Sequence, residues 1–537
     1  MSLKPTNVPL TVKEFDEALC GVCSGCGCAC GYIAYLKGLE LIDLYGHPHD
    51  PNGIGSFCTK GITLVQELSG NPLRLREAFL REGKDFRKLT REEVLGWAKD
   101  NIKGRVALFL DRTTTDLGDF ACALSMTEDV FSDTLYLPFL ASTLRPQNWR
   151  DQKFILAVEC ETVFSEVMAT RWLVDAFERS AHIVAVSSRY ATTSAKASKR
   201  LLLKPPQIVR FLEELADLCE GVDRELSFGE EVKRVAKALS LIKESLILIG
   251  DTLLRSKWRD NVLGALRRIR SKLKVNYSIV GDISPFEVRG VEDFLKELES
   301  FDSLILTGNP VRYMKDEHIE VLKTKPVLHL SLFPNLTANS SKVVVPIKSF
   351  AEREFFPYRN GFGFVAYSPS VLKPPEGSLT LKELLSEAFR LEGSLEGLLE
   401  RVGLSVEEVK NSEGGADVSL SPVEEWSGEL KPKRTEDGKL FILCDSTLVD
   451  ELGHWNVWTH DIEREQFAYV NPETADSLGL KDSVEVRGQS LPLRLSSNIA
   501  PGVVFVPNSY EELQPFNPGV RIGKLMKNPA FRVEDYD

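Results

Sequence analysis

The chain has 537 residues, of which 43% are hydrophobic and 27% charged, and it carries a formal charge of -12. That length makes roughly three or four packed units of about 150 residues each, and the apolar share excludes a largely disordered chain. The acidic balance excludes nucleic acid as the main partner, because phosphate recognition rests on a basic surface. At the N-terminus, "MSLKPTNVPLTVKEFDEAL" has no apolar stretch ahead of a small-residue cleavage site, and the longest apolar runs, "LILIG" and "VVVP", are too short to cross a bilayer. A cytoplasmic chain is expected, reaching the inner face of a membrane only peripherally, through a complex.

Six of the ten cysteines fall between Cys20 and Cys58, five of them in "CGVCSGCGCACGY". A reducing compartment keeps such residues as thiols unless a metal takes them, so the clustering reads as ligation. Cys23, Cys26, Cys30 and Cys58 give C-x2-C-x3-C-x27-C, with three thiolates on a tight loop and a fourth returning from a distance. Four thiolates suit a [4Fe-4S] cluster or zinc; structural zinc sites usually pair C-x2-C with a second close pair, which favours iron-sulfur here. A competing selection, Cys20, Cys23, Cys26 and Cys30, has the C-x2-C-x2-C-x3-C spacing of bacterial ferredoxins. Those carry two such runs and a Pro after the last Cys, whereas this chain has one run and Gly31. Cys20 and Cys28 then read as spare thiols, and His47 and His49 in "GHPHD" as an exposed turn.

Further along, "RVALFLD", "KFILAVE" and "AHIVAVSS" are short apolar runs separated by helical stretches, as buried parallel strands are. "ESLILIGD", "KLKVNYSIVGD", "FDSLILTGNP" and "KPVLHLSLFPN" repeat the pattern between Glu244 and Asn335. The expected organisation is an α/β protein with a cysteine subdomain over 1–65, a first Rossmann-like unit over 66–235 and a second over 236–412. A Gly-, Pro- and charge-rich linker follows over 413–438, then a small C-terminal β-barrel over 439–537, where strands shorten and turn at close spacing. The aromatic stretch "HWNVWTH", His454 to His460, reads as packing at the entry to the barrel.

With these segments in order, the chain resembles the molybdopterin oxidoreductases of the dimethyl sulfoxide reductase type, which include formate dehydrogenases. The likeness rests on C-x2-C-x3-C-x27-C followed by "TKG", on "LYGHPHDPNGIGSFCTKG" before and through the last ligand, and on "AVSSRYATTSAKAS" and "LTGNPV". It continues through "PNLTANSSKVVVPIKSFAEREFFPYRNGFGF" and "YVNPETADSLGLKDSVEVRG", so it covers nearly the whole chain. Within that family the large G subunit of respiratory NADH dehydrogenase (complex I) is the most similar, without its N-terminal ferredoxin-like extension. The resemblance implies one [4Fe-4S] cluster on Cys23, Cys26, Cys30 and Cys58, and it implies that Lys60 is the basic residue between cluster and pterin, where an ammonium favours the reduced cluster.

It also implies molybdenum or tungsten held by a bis-molybdopterin guanine dinucleotide and by one protein ligand. Between Asp111 and Lys153 the candidates are Cys122 in "DFACALSM" and Ser142 in "FLASTLRP", and each has a plainer reading, as a core thiol and as a turn residue. The loop after "FILAV" carries Glu159 and Glu161 where glycine is expected beside a pyrophosphate, and Phe355 and Phe356 stand where a small residue would meet the pterin. Pterin binding is therefore expected to be compromised. The leading expectation is an electron-transfer subunit of a multisubunit redox complex, partnered by other iron-sulfur or flavin proteins. The alternatives are an active molybdenum or tungsten oxidoreductase of formate dehydrogenase type, and a structural scaffold whose cluster only pins the N-terminus.

Overall fold

The computed structural model describes residues 14–71, 73–83, 85–190, 192–222, 224–357, 360–435, 440–445, 467–486, 489–507 and 533–536. Strands β1 (Glu17–Val22), β2 (Gly31–Lys37) and β3 (Glu40–Gly46) form an antiparallel meander. The β2–β3 reversal needs Gly38, whose φ of 61° a side chain would strain. Helix α1 (Thr59–Gly70) begins directly after Cys58 and buries Val65 and Leu68. The cysteine loop lies between β1 and β2, and the fourth candidate ligand stands at the foot of α1.

Two larger sheets carry the α/β body. One has seven strands in the order β5-β4-β17-β16-β15-β6-β7: β4 (Ala78–Glu82), β5 (Asp85–Leu89), β6 (Val106–Leu110), β7 (Val130–Ser132), β15 (Ser303–Thr307), β16 (Val327–Ser331) and β17 (Val343–Pro346). Between β5 and β6 runs helix α2 (Arg91–Asn101), started by a capping box between Thr90 and Glu93, and between β6 and β7 helix α3 (Leu117–Met126), started by one between Asp116 and Asp119. The other sheet is wholly parallel, in the order β11-β10-β9-β12-β13, built from β9 (Phe154–Val158), β10 (His182–Ser187), β11 (Lys199–Leu202), β12 (Ser245–Gly250) and β13 (Asn276–Val280). The residues of β6, β9, β12 and β15 are buried throughout, which is why these strands read as unbroken apolar runs and not as alternation.

The two sheets are interleaved in sequence, and here the structure differs from the expected consecutive units at 66–235 and 236–412. Strands β6 and β7 share a sheet with β15 to β17 through the β6–β15 pairing, and everything from β9 to β13 is an insertion between them. The crossings into and out of the insertion, β8 (Leu135–Tyr136) and β14 (Ile283–Ser284), pair with one another in parallel. Strand and helix patterns alternate in the same way whether units are consecutive or nested, so sequence periodicity could not separate the two cases.

The expected linker is not a free tether. Its β19 (Ala416–Asp417) pairs with β18 (Phe364–Val365); Val423 is fully buried and donates its N–H to the Tyr277 hydroxyl (3.0 Å), and Glu424 pairs with Arg270. At the C-terminus, β20 (Leu440–Asp445), β21 (Ala468–Val470), β22 (Ser483–Val486), β23 (Gln489–Leu495), β24 (Val503–Pro507) and β25 (Val533–Tyr536) make a mixed sheet in the order β22-β23-β21-β24-β20-β25. Among the described residues of the expected barrel, six strands form one sheet, with β22 and β25 at its ends. The stretch His454 to His460 lies outside the described residues.

Candidate metal centre

The cysteine loop is seated across the carboxyl ends of both large sheets. The Ser24 hydroxyl donates to the Thr113 carbonyl (3.0 Å) in the loop after β6, and the Gly27 N–H donates to Glu166 Oε1 (3.2 Å) beyond β9. Asn52 donates to the Cys28 carbonyl (2.7 Å), and its own carbonyl accepts from the Trp172 indole (3.0 Å) on helix α4 (Ala169–Glu178). Three separate segments therefore fix the loop's backbone before any sulfur is considered.

Cys23 and Cys30 are buried, and Cys26 and Cys58 are partly so. The Gly25 N–H points at Cys23 Sγ (3.2 Å) and the Gly61 N–H at Cys58 Sγ (3.4 Å). A Cβ on Gly61 would stand 3.3 Å from Cys23 Sγ, so Cys23 reaches the turn that holds Cys58. The Cys26, Cys28 and Cys30 thiols are joined by hydrogen bonds through Cys28, and Cys26 and Cys30 lie within electrostatic reach of Cys58. The hydrogen bond that Cys26 donates to Cys28, then burial, holds the Cys26 thiol well above the ordinary thiol value, so its sulfur stays protonated unless a cation joins it. Glycine-lined N–H groups aimed at a buried nest of thiols fit a [4Fe-4S] cluster, whose sulfurs and thiolates accept such bonds.

The remaining residues fall as follows. Cys20 is exposed on β1 opposite Ile33. Lys60 is partly exposed in the first turn of α1. His47 and His49 sit in a partly exposed turn, their rings edge to face at 5.8 Å. Two residues the spacing argument passed over belong to the nest: Cys28, read as spare, is fully buried within it, and Glu166 has its carboxylate within 4.8 Å of the sulfurs of Cys26 and Cys28. The alternating run of Cys26, Cys28 and Cys30 is the local cue for the first. Glu166 is 139 residues from Gly27, and no spacing rule reaches that far.

The same geometry can be tried against a pterin-held metal, and the donors do not fit. Cys122 is buried on α3 inside the apolar core, its sulfur accepting from the Gly393 N–H (3.3 Å). Ser142 is buried, donating to the Gly361 carbonyl and accepting from the Ile279 N–H (3.2 Å). Glu159 and Glu161 do not face outward as repelling charges. Glu159 Oε2 accepts from the Ser188 N–H (2.8 Å) and hydroxyl (2.7 Å), and Glu161 Oε1 from the Val163 N–H (3.0 Å) and the Thr193 hydroxyl (2.9 Å). The chain's own carboxylates thus take donors at the carboxyl ends of β9 and β10, where an α/β sheet ordinarily receives a phosphate. Phe355 and Phe356 are core residues, stacked at tilted angles on Phe350 and Tyr367. They lie over a buried ion cluster in which Arg353 pairs with Asp116 (2.5 Å) and Asp119 (2.7 Å).

No family model matches the chain, and no curated protein matches it in sequence. Among solved structures the fold is similar to acetylene hydratase from Pelobacter acetylenicus, with a TM-score of 0.70 over 95% of this chain and 96% of that one. Identity is 13%, so the likeness is one of fold.

Proposed function

We propose that this chain is an iron-sulfur electron-transfer subunit of a multisubunit redox complex, built on the molybdopterin oxidoreductase fold and resembling a complex I G subunit whose pterin site has decayed. The observation that carries the reading is the buried nest of thiols with backbone N–H groups turned toward them. In this reading Cys23, Cys26, Cys30 and Cys58 hold one [4Fe-4S] cluster, which supplies one-electron transfer when bound. The Gly25 and Gly61 N–H groups lower the charge density on the ligand sulfurs, and the Lys60 ammonium adds positive potential from the start of α1. The fold likeness supports a place in the molybdopterin oxidoreductase superfamily, and the misfit of Cys122, Ser142, Glu159 and Glu161 supports the absence of the pterin. With one cysteine nest for electrons to enter and leave, the chain works with other iron-sulfur or flavin subunits, in the cytoplasm or on the inner membrane face through them. No described helix is long and apolar enough to cross a membrane.

Elemental analysis tests both halves. Chain expressed with iron, molybdate and tungstate is expected to hold about four irons and four sulfides, little molybdenum or tungsten, and no fluorescent pterin oxidation product. Alanine at Cys23, Cys26, Cys30 or Cys58 should remove the iron-sulfur absorbance, while Cys20→Ala keeps it. Near-stoichiometric molybdenum or tungsten with pterin would replace this reading by an active oxidoreductase of formate dehydrogenase type.

A further inference from the structure

We propose that Cys26, Cys28 and Glu166 form a second metal site, for a single thiophilic divalent cation such as zinc or ferrous iron, which shares Cys26 with the four-cysteine set and so is exclusive with it. The sulfurs of Cys26 and Cys28 and a carboxylate oxygen of Glu166 all lie within 4.8 Å of one another. Around tetrahedral zinc such ligand atoms stand about 3.5–3.8 Å apart, so a small inward movement of side chains closes the set.

Three features show that the carboxylate is placed for this and has not drifted there. Glu166 is 1% exposed, with Oε1 held by the Gly27 N–H (3.2 Å) and Oε2 buried without a hydrogen-bond partner of ordinary geometry. Gly27, between the two cysteines, is the residue that lets the carboxylate approach: a Cβ there would meet Oε1 at 2.7 Å. The charges acting on Glu166 include the carboxylates of Asp282 and Asp251, and each of these is already paired, with Arg112 and with Arg255 (2.8 Å). A buried acid facing two thiols among further acids requires a proton or a cation, and two soft donors with one hard one select zinc or ferrous iron over calcium or magnesium. Cys30, bonded through its thiol to Cys28, is the neighbour able to supply a fourth ligand.

The site does not depend on the four-cysteine reading, and cobalt(II) titration of the reduced, metal-stripped full chain separates the two. One equivalent is expected, with thiolate charge-transfer absorbance. Glu166→Gln, which keeps the acceptor for the Gly27 N–H, and Cys28→Ser should each weaken cobalt binding at least about tenfold while still accepting a cluster from iron and sulfide. Cys58→Ala should bind cobalt as the parent does and fail to take the cluster, and loading the cluster into the parent should release the cobalt. Parent chain that binds no cobalt, unchanged affinity in both Glu166→Gln and Cys28→Ser, or cobalt lost in Cys58→Ala would overturn the proposal. Failure of cluster loading in the parent, with cobalt binding intact, would instead count against the electron-transfer reading.

Discussion

The two large sheets reverse their strand order at equivalent places, and the same pair of residue types closes both crevices by different means. In the five-stranded sheet the reversal falls between β9 and β12; in the seven-stranded sheet it falls between β6 and β15. Each time an acid follows the first strand, Glu159 or Asp111, and a glycine ends or follows the second, Gly250 or Gly308. Glu159, at a φ of 41°, reaches across to Ser188 beyond β10, and its carbonyl oxygen lies 1.9 Å from where a Gly250 Cβ would be. Asp111 folds back on its own loop, accepting from the Thr113 N–H (2.9 Å), the Thr114 N–H (3.0 Å) and the Thr114 hydroxyl. A cavity of about 20 Å³ remains beside it, lined by Asp111, Arg112, Asp133 and Asn335, enough for about one water. Crevices that receive cofactors in α/β proteins are here filled from within, one by a long-range strap and one by a local nest.

The glycines give the sharpest test of that difference. Gly250→Ala drives a methyl into the backbone of a residue that is itself strapped to Ser188, so it is expected to cost about 4 kcal/mol or more, or to block folding. Gly308→Ala meets the Asp111 Cβ at 2.2 Å and a φ of 64°, but the contact is with a side chain whose hydrogen bonds run to its own loop, so about 2–3 kcal/mol is expected. Urea unfolding of both variants measures the gap, and equal losses would mean that strap and nest resist displacement alike.

What the sequence disclosed follows from range. The apolar runs of β6, β9, β12 and β15 are local signals, and these strands are where they were expected. The nesting of one sheet inside the other was not visible, because β6 finds β15 across nearly two hundred residues of chain whose local pattern is the same either way. In the sequence Glu159 and Glu161 are carboxylates where glycine is expected, but their partners Ser188 and Thr193 come from the next strand's loop, beyond the reach of local pattern. Glu166 escaped notice for the same reason, and Phe355 and Phe356 were read as obstructions when they pack in the core.

His329, on β16, extends the comparison to pH. Its ring is buried, Nε2 contacts the Gly308 carbonyl at 2.7 Å, and burial pushes its pKa down to about 4 from an unfolded value of 6.5. The unfolded chain therefore takes up a proton between those values that the folded chain refuses, and this residue's share of stability is present above pH 6.5 and lost as the pH falls toward 4. The loss approaches about 3 kcal/mol by linkage. In His329→Gln that part of the slope should vanish, and Gly308→Ala, which disturbs the accepting carbonyl, should change the slope where Gly250→Ala does not. Parallel stability–pH curves for parent and His329→Gln would show that the ring protonates in the folded state without cost.

The smallest effects, and the closest comparison, come from neutralising the two acids without changing their size. Asp111 holds three donors on two oxygens within one loop, so Asp111→Asn must turn an NH2 toward a group that was donating and weakens every charge-assisted bond in the nest; about 2 kcal/mol is expected. Glu159 receives the Ser188 N–H and hydroxyl on a single oxygen, and Glu159→Gln can keep a carbonyl there, so about 1 kcal/mol is expected. Urea midpoints of the two variants, measured at one pH above 7 to keep His329 neutral, give the order, and a larger loss at Glu159 would mean that the strap across to β10 carries more than its two bonds. The same titrations repeated with millimolar inorganic pyrophosphate bear on function. A crevice already filled by its own carboxylate gains nothing from the added anion, so the parent's midpoint should not move, whereas a rise in the parent that Glu159→Gln does not enlarge would mean that a phosphate reaches these donors despite the carboxylate.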